Sequence, residues 1–196
     1  MSDKNFIFGY GSLISRESRE KTGNTGRAIP VKIKGLKRFW GLVVPEAKLT
    51  ALGVIPDKKS QCNGAIFSVS ENDLFKFDKR EIGYNRIKIK QEDIIFSNNE
   101  KIEGIVWVYV MKEEGVPNKQ NPIVQSYVDV IIDGCIEYDL SFVKEFIITT
   151  HGWDSNWIDD RISPRYVRAK KDVDVQKIDN ILREVIPEEF SGRHSN

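Results

Sequence analysis

Apolar residues recur with two different spacings along this 196-residue chain, and the change falls near Pro117. Before it, short alternating or continuous apolar runs predict about five or six strands, with a single helix among them. After it, the apolar positions between 123 and 136 follow the period of a helix, and the stretches 140–148 and 173–186 repeat that period. Because strands and helices do not alternate regularly, this order predicts an α+β fold and argues against a parallel α/β sheet.

Turn residues divide the first part of the chain into its elements. We expect strands at 6–8, 31–44, 51–55, 64–69, 84–89 and 104–110, with a break at Gly41 and a polar turn at 57–60. The composition of Pro187–Asn196 is typical of a loose tail. We therefore predict a β-rich core at residues 1–112 and a helical C-terminal extension at 113–196, packed on the same domain.

Charge excludes one class of partner. Lys and Arg number 30 against 29 Asp and Glu, which leaves a net charge of +1. Nucleic-acid binding needs a local excess of positive charge, so this balance predicts no nucleic-acid partner. Lys32, Lys34, Lys37 and Arg38 do cluster on an expected strand, and we interpret them as a solvated edge.

The cysteines and the hydropathy of the chain predict its cellular compartment. Cys62 and Cys135 are far apart and lack metal-ligand spacing, so we interpret them as free thiols in a reducing cytoplasm; a disulfide stays open. No apolar run approaches the roughly 20 residues of a membrane helix, and the N-terminus lacks the hydrophobic stretch of a signal peptide. We expect a soluble cytoplasmic protein with no membrane partner, and the sequence does not predict its oligomeric state.

A glycine-rich turn, Gly9-Tyr10-Gly11-Ser12-Leu13, directly follows the first expected strand. Two glycines around one residue allow positive φ angles and a close approach of a ligand to the backbone. Successive N–H groups of such a turn can point into one small volume and bind an anion or an oxyanion. Ile14 stands where a dinucleotide fingerprint needs glycine, and the Gly-Lys-Ser/Thr of a phosphate loop is absent. An ordinary structural turn stays open as the alternative.

The helix expected after residue 70 carries an acid on its apolar face. Ser70 and Asp73 have the spacing of a capping box, which predicts the start of the helix. Leu74, Phe77 and Glu81 then share one helical face. Desolvation raises the pKa of a carboxyl group, which suits that group to proton transfer near neutral pH.

The neighbours of this acid leave a second interpretation open. We expect Arg80 on the opposite, solvated face of the helix. Glu81 would then be either a proton-transfer group or a partly buried acid paired with Arg86 or with a lysine.

The glycine turn and the acid-bearing helix together resemble the γ-glutamyl cyclotransferase superfamily, which includes the ChaC-type enzymes. The matching segments are 8–13, 31–39, 62–67 and 77–84, so the resemblance covers about residues 5–112. It implies a mixed β-barrel flanked by helices, with no cofactor and no metal.

The resemblance also implies release of 5-oxoproline from a small γ-glutamyl amine, amide or peptide, with glutathione as one candidate substrate. The substrate's own α-amine attacks its γ-carbonyl, so no protein nucleophile is needed. Glu81 would act as general acid and base. The N–H groups of Gly11, Ser12 and Leu13 would hold the substrate carboxylate or the developing oxyanion.

Other residues and other functions stay open. Tyr10 and Tyr84 could be pocket walls or hydrogen-bond donors, with plain packing as the open alternative for each. Arg165 or Tyr166 could reach the pocket rim. The alternative to an enzyme is a non-catalytic small-ligand-binding module of the same fold. A third hypothesis is a protein that acts mainly in protein contacts through its helical C-terminal part.

A tryptophan-rich segment at 151–161 has three interpretations. His151, Asp154 and Asp159 could form a metal site. Trp153 and Trp157 could instead form a stacking surface for a sugar or for the leaving group of a substrate. We favour a third interpretation, in which these aromatic residues pack the C-terminal helices onto the rest of the protein.

Overall fold

The computed structural model describes residues 4–96 and 100–195. Within these residues the chain forms two β-sheets and six α-helices. The strands are β1 (Asn5–Gly9), β2 (Thr25–Val44), β3 (Leu49–Val69), β4 (Tyr84–Ile89), β5 (Ile94–Phe96), β6 (Ile105–Met111), β7 (Ile123–Val124), β8 (Thr150–His151), β9 (Trp157–Asp159) and β10 (His194–Ser195). The helices are α1 (Arg16–Glu20), α2 (Glu71–Arg80), α3 (Gln125–Ile136), α4 (Leu140–Ile148), α5 (Val175–Val185) and α6 (Pro187–Ser191).

β1 lies within the larger sheet, whose strand order is β4-β6-β1-β3-β2-β5, with β8 alongside β2. β1 pairs antiparallel with β3 and parallel with β6, so the sheet is mixed. The predicted α+β class is confirmed. β4 and β5 stand at the two ends of the order and do not pair with each other in the described residues, so the barrel that the resemblance implies is here an open sheet.

The two longest strands, β2 and β3, form a hairpin along most of their length. Their register shifts around Gly41 and again opposite residues 57–60. The expected break at Gly41 is therefore a bulge in a continuous strand. Residues 57–60, where we expect a turn, lie within β3 but have no pairing partner in β2, so they form a wide bulge. In this bulge Asp57 accepts a 2.5 Å hydrogen bond from the Ser60 hydroxyl.

The three helices predicted after Pro117 are present as α3, α4 and α5. α3 begins two residues later than expected because Ile123 and Val124 form β7. These helices bury their apolar side chains in one cluster with Ile14 and Trp40 of the β-rich part. The division of the chain at residue 112 stays a prediction. Among the described residues, none of the helices has the length and apolar character that crossing a membrane requires.

The tryptophan-rich segment lies in this cluster. Trp153 and Trp157 are 5% and 1% exposed, so neither offers a stacking surface. The predicted packing of these aromatic residues against the helices is confirmed, and no group of described side chains is arranged to hold a metal ion. The expected loose tail is wrong for residues 187–195, and Asn196 lies outside the described residues. Phe190 of α6 packs edge-on against Trp157 with ring centroids 5.9 Å apart, and β10 pairs with β9.

Arg38 is fully buried, so the interpretation of the basic cluster as a solvated edge is wrong for this residue. Its guanidinium group donates to the side-chain oxygens of Asn63, Thr149 and Thr150. It also donates to the carbonyl oxygen of Phe146 (2.8 Å) and lies 3.7 Å from the centroid of that ring. These partners satisfy a charge that would otherwise be too costly to bury, and they tie the hairpin to the end of α4.

Both cysteines are buried and free, as the sequence predicts. Burial raises the pKa of Cys62 to about 11. Burial likewise raises the pKa of Cys135. Neither thiol is therefore ionised near neutral pH, which makes both poor nucleophiles.

Candidate active site

The glycine turn passes from β1 into a short 3-10 helix, Ser12–Ile14. Neither Gly9 nor Gly11 has a positive φ angle, so that part of the expectation is wrong. Close packing accounts for both glycines. A Cβ atom on Gly9 would lie 2.8 Å from the Cβ of Leu13, and one on Gly11 would lie 3.2 Å from the hydroxyl oxygen of Tyr127.

The backbone of the turn presents hydrogen-bond donors. Ile14 N–H donates to Gly11 O at 2.9 Å, which closes the 3-10 turn. The N–H groups that precede it have no acceptor inside such a helix. Within residues 4–96 and 100–195, those of Gly11, Ser12 and Leu13 donate to no other backbone group. They are therefore available to an anion.

Glu81 caps the C-terminal end of α2, where its N–H donates to Phe77 O at 2.9 Å. Its side chain is 13% exposed, and Oε1 lies 3.0 Å from Nε of Arg80. Burial raises the pKa of Glu81, while the positive charges of Arg80 and Arg168 act in the opposite direction. The predicted pairing with Arg86 is wrong, because that arginine pairs with Asp78 at the side of α2.

Arg80 connects this acid to the glycine turn. The side chain is only 9% exposed, so the expectation of a solvated Arg80 is wrong. It donates to Ser12 Oγ (3.1 Å), to Ser18 O (2.9 Å) and to Thr22 Oγ1 (2.7 Å). Sequence reasoning missed this role, although Arg80 follows Phe77 by three residues and so borders the buried face of α2.

A cavity in two parts joins these groups. The inner chamber has a volume of about 30 Å³, and the outer chamber has about 220 Å³. Ser12, Glu81, Tyr84 and Tyr127 line both. All the residues that the sequence predicts for the site line the inner chamber, namely Tyr10, Gly11, Ser12, Leu13, Glu81 and Tyr84.

Tyr10 and Tyr84 are walls of this chamber. The Tyr10 hydroxyl donates to Tyr109 O at 2.6 Å, and the Tyr84 hydroxyl donates to Leu52 O at 2.8 Å. Their protons are thus already committed to backbone carbonyls. Burial raises the pKa of Tyr10 and of Tyr84, and the nearby charge of Glu81 adds to the effect. Both phenols are neutral at physiological pH.

Tyr109 and Tyr127 also line the inner chamber, and the sequence analysis did not single them out. Tyr109 comes from β6 and donates to Asp78 Oδ1 at 2.9 Å. Tyr127 comes from α3, and burial raises the pKa of its phenol. Both tyrosines occupy positions of ordinary apolar periodicity, so only the packing of β6 and α3 around the turn reveals them.

The outer chamber takes one wall from the segment that follows β9. Tyr166, Val167 and Arg168 line it opposite the glycine turn. Tyr166 therefore reaches the pocket rim. Arg165 does not line the chamber, and its guanidinium group donates to Lys48 O at 3.0 Å.

Comparison with known protein families identifies the family of this chain. A family model described as γ-glutamyl cyclotransferase, AIG2-like, matches residues 7–128. The chain belongs to this family. The match to the γ-glutamyl cyclotransferase family includes the glycine turn, α2 with Glu81, and Tyr127 at the start of α3. It ends before the segment that forms the outer wall.

Solved structures have the same fold. A protein described as γ-glutamyl cyclotransferase is 14% identical, with a TM-score of 0.62, over 93% of this chain and 99% of the other. An uncharacterized protein from Homo sapiens is 16% identical, with a TM-score of 0.58, over 76% of this chain and 89% of the other. YkqA from Bacillus subtilis is 16% identical, with a TM-score of 0.50, over 68% of this chain and 49% of the other. A comparison with curated protein sequences finds no match.

Proposed function

We propose that this member of the γ-glutamyl cyclotransferase family releases 5-oxoproline from a small γ-glutamyl amine, amide or peptide. One observation carries the proposal: Glu81, a largely buried carboxylate held by Arg80, lines the same chamber as the unoccupied N–H groups of the glycine turn. A proton-transfer group and an oxyanion site are the two elements that intramolecular aminolysis requires.

In the proposed reaction, the Glu81 carboxylate takes a proton from the substrate's α-ammonium group. The freed amine attacks the γ-carbonyl carbon, and the N–H groups of Gly11, Ser12 and Leu13 stabilise the resulting oxyanion. The protonated Glu81 then gives its proton to the departing nitrogen as the C–N bond breaks. The ring nitrogen loses its second proton through the same carboxylate, so the products are 5-oxoproline and a protonated amine.

The environment of Glu81 suits this cycle. Burial raises its pKa, which brings the acid and base forms closer together in free energy near neutral pH. The neutral tyrosines around it do not compete for the proton. Holding the substrate folded for ring closure adds the effect of proximity, which can supply roughly 7–11 kcal/mol of the barrier.

The two free thiols support a proposal for the compartment in which the reaction takes place. Because Cys62 and Cys135 are both free, we propose a reducing compartment, the cytoplasm, as the place where the protein meets its substrate. The proposed partner is a small molecule.

The test is a panel of γ-glutamyl amino acids, γ-glutamyl alkylamines and glutathione, with 5-oxoproline measured by mass spectrometry. We expect product from at least one compound and a loss of about 10²- to 10⁴-fold in Glu81→Gln. Glu92→Gln is the matched control, because the Glu92 side chain is 75% exposed and does not line the cavity.

Two results would contradict the proposal. The first is an absence of product across the whole panel. The second is an unchanged rate in Glu81→Gln. Binding of a γ-glutamyl compound in calorimetry without turnover would support the non-catalytic module instead.

A further inference from the structure

The outer chamber contains an arginine that the proposed chemistry does not use. Arg168 is partly buried and lines the chamber together with Glu81 and Arg80. Its charge is close enough to oppose the rise in the pKa of Glu81. Among the described residues it forms no hydrogen bond or ion pair with another side chain, so its guanidinium donors are open to a ligand.

Arg80, which also lines the chamber, already has hydrogen-bond and ion-pair partners. Arg80 is committed to Glu81, Ser12 and Thr22. Lys170, two residues further along, is paired as well, since its Nζ lies 2.5 Å from Asp133 Oδ2. Arg168 therefore differs from Arg80 and Lys170, because it lines the cavity and forms no hydrogen bond or ion pair among the described residues.

The segment that carries Arg168 is held in place on both sides. Asp160 accepts hydrogen bonds from the N–H and the hydroxyl of Ser126, each at 2.7 Å. Beyond Arg168, the ion pair between Lys170 and Asp133 fixes the segment to α3. These contacts fix the backbone that carries Arg168, so a ligand that binds Arg168 does not have to order the backbone as well.

The sizes of the two chambers, together with the proposed position of the γ-carbonyl at the glycine turn, limit where the leaving group can lie. The inner chamber, at about 30 Å³, is close to the share of one water molecule in the liquid. It admits only the part of the substrate that reacts beside Glu81 and the N–H groups of the turn. The leaving group then extends into the outer chamber, where Arg168 lies.

We propose that Arg168 determines specificity by binding a carboxylate on the leaving group, so that γ-glutamyl amino acids and peptides are preferred over γ-glutamyl alkylamines. This inference rests on the proposed cyclotransferase function. A guanidinium group matches a carboxylate in shape and charge and can bind it through two hydrogen bonds. An uncharged leaving group cannot form this ion pair with Arg168.

The experiment compares γ-glutamyl-alanine with γ-glutamyl-alaninamide, which differ only in the leaving-group carboxylate. The readout is the ratio of kcat/KM for the acid to that for the amide. We expect Arg168→Met, which keeps the apolar stem, to lower this ratio roughly 10- to 100-fold. Arg168→Lys should retain part of the preference for γ-glutamyl-alanine over γ-glutamyl-alaninamide. Lys171→Met is the control, because Lys171 is exposed and does not line the chamber.

Binding measurements separate this inference from the proposed function. Calorimetry on Glu81→Gln and on the double variant Glu81→Gln with Arg168→Met measures the Kd of both compounds. The readout is the Kd of γ-glutamyl-alaninamide divided by that of γ-glutamyl-alanine. A lowered ratio in Arg168→Met supports the role of Arg168, even if the wild-type protein makes no 5-oxoproline and the proposed function fails. Equal losses for the acid and the amide, or an unchanged ratio, would overturn it, since Arg168 would then act only on Glu81 or on the fold.

Discussion

Replacing Arg80 with methionine removes the guanidinium group that connects Glu81 to the glycine turn. Methionine keeps much of the apolar stem, so the main change is the loss of charge and of hydrogen-bond donors. Glu81 loses its ion-pair partner, and the oxygens of Ser12, Ser18 and Thr22 lose a donor.

The burial of the Arg80–Glu81 pair determines how much stability the substitution should remove. Both partners of the pair are largely buried, with 9% of the Arg80 side chain and 13% of the Glu81 side chain exposed. Removal of one partner from a buried pair costs about 3–5 kcal/mol. Because a domain of this size loses about 2–4 °C of melting temperature per kcal/mol, we expect Tm to fall by roughly 6–20 °C. The variant should still fold, since typical domains are stable by about 5–15 kcal/mol.

The loss of unfolding free energy in Arg80→Met should also depend on pH. Without Arg80, the pKa of Glu81 in the folded protein rises further above its value in the unfolded chain. A raised pKa in the folded state means that stability is present at low pH and declines as pH increases through that pKa. The difference in unfolding free energy between wild type and Arg80→Met should therefore be smaller at pH 5 than at pH 8.

Urea unfolding followed by tryptophan fluorescence measures this difference at both pH values. The double variant Arg80→Met with Glu81→Gln should recover part of the loss at pH 8, because it no longer buries an unpaired charge. A loss that is equal at pH 5 and pH 8, or a double variant no more stable than the single one, would refute the reasoning. Arg16→Met serves as the control, since Arg16 is an exposed partner of Glu20 and its removal should leave both curves unchanged.

Three further outcomes are expected. Arg38→Leu leaves several buried acceptors without a donor and should lower the urea unfolding free energy by more than about 3 kcal/mol; a midpoint equal to that of wild type would contradict this. Gly134→Ala places a Cβ atom 2.6 Å from the backbone nitrogen of Ser15, so calorimetry should register a loss of about 1–3 kcal/mol. Burial raises the pKa of Cys62 to about 11 and that of Cys135 as well, so neither thiol should react with Ellman's reagent at pH 8 until urea unfolds the protein. Rapid labelling of the folded protein would count against that last expectation.

Short-range patterns were enough to predict the two halves of the site. Ser70 accepts a hydrogen bond from Asp73 N–H at 3.1 Å, as its spacing indicates, and this contact fixes where α2 begins. The positions of Leu74 and Phe77 then determine which face is buried and place Glu81 against the cavity. The roles assigned to Glu81 and to the turn stay predictions until activity is measured.

Long-range polar contacts could not be predicted in the same way. Arg38 and Arg80 each follow a lysine in the sequence, and local reasoning assigns both to solvent. Each is instead buried by partners far along the chain, such as Thr150 for Arg38 and Ser18 for Arg80. A hydrogen bond across such a separation leaves no periodic trace in the sequence.

The C-terminal residues show the same limit for apolar contacts. Phe190 is a single aromatic residue in an otherwise polar stretch, and one residue establishes no period. Its burial depends on Trp157, which the fold brings to it through β9 and β10. Composition alone therefore predicts a loose tail where the structure has a helix and a strand.

The inner and outer walls of the cavity come from opposite ends of the chain: the turn and Glu81 from the region that the family model matches, and Tyr166 to Arg168 from beyond it. Substitutions of Val167 or Arg168 can thus change the shape and charge of the outer chamber without altering the turn or Glu81. If the proposed function holds, substrate range can be altered through the outer segment while the proposed catalytic acid and the turn stay unchanged.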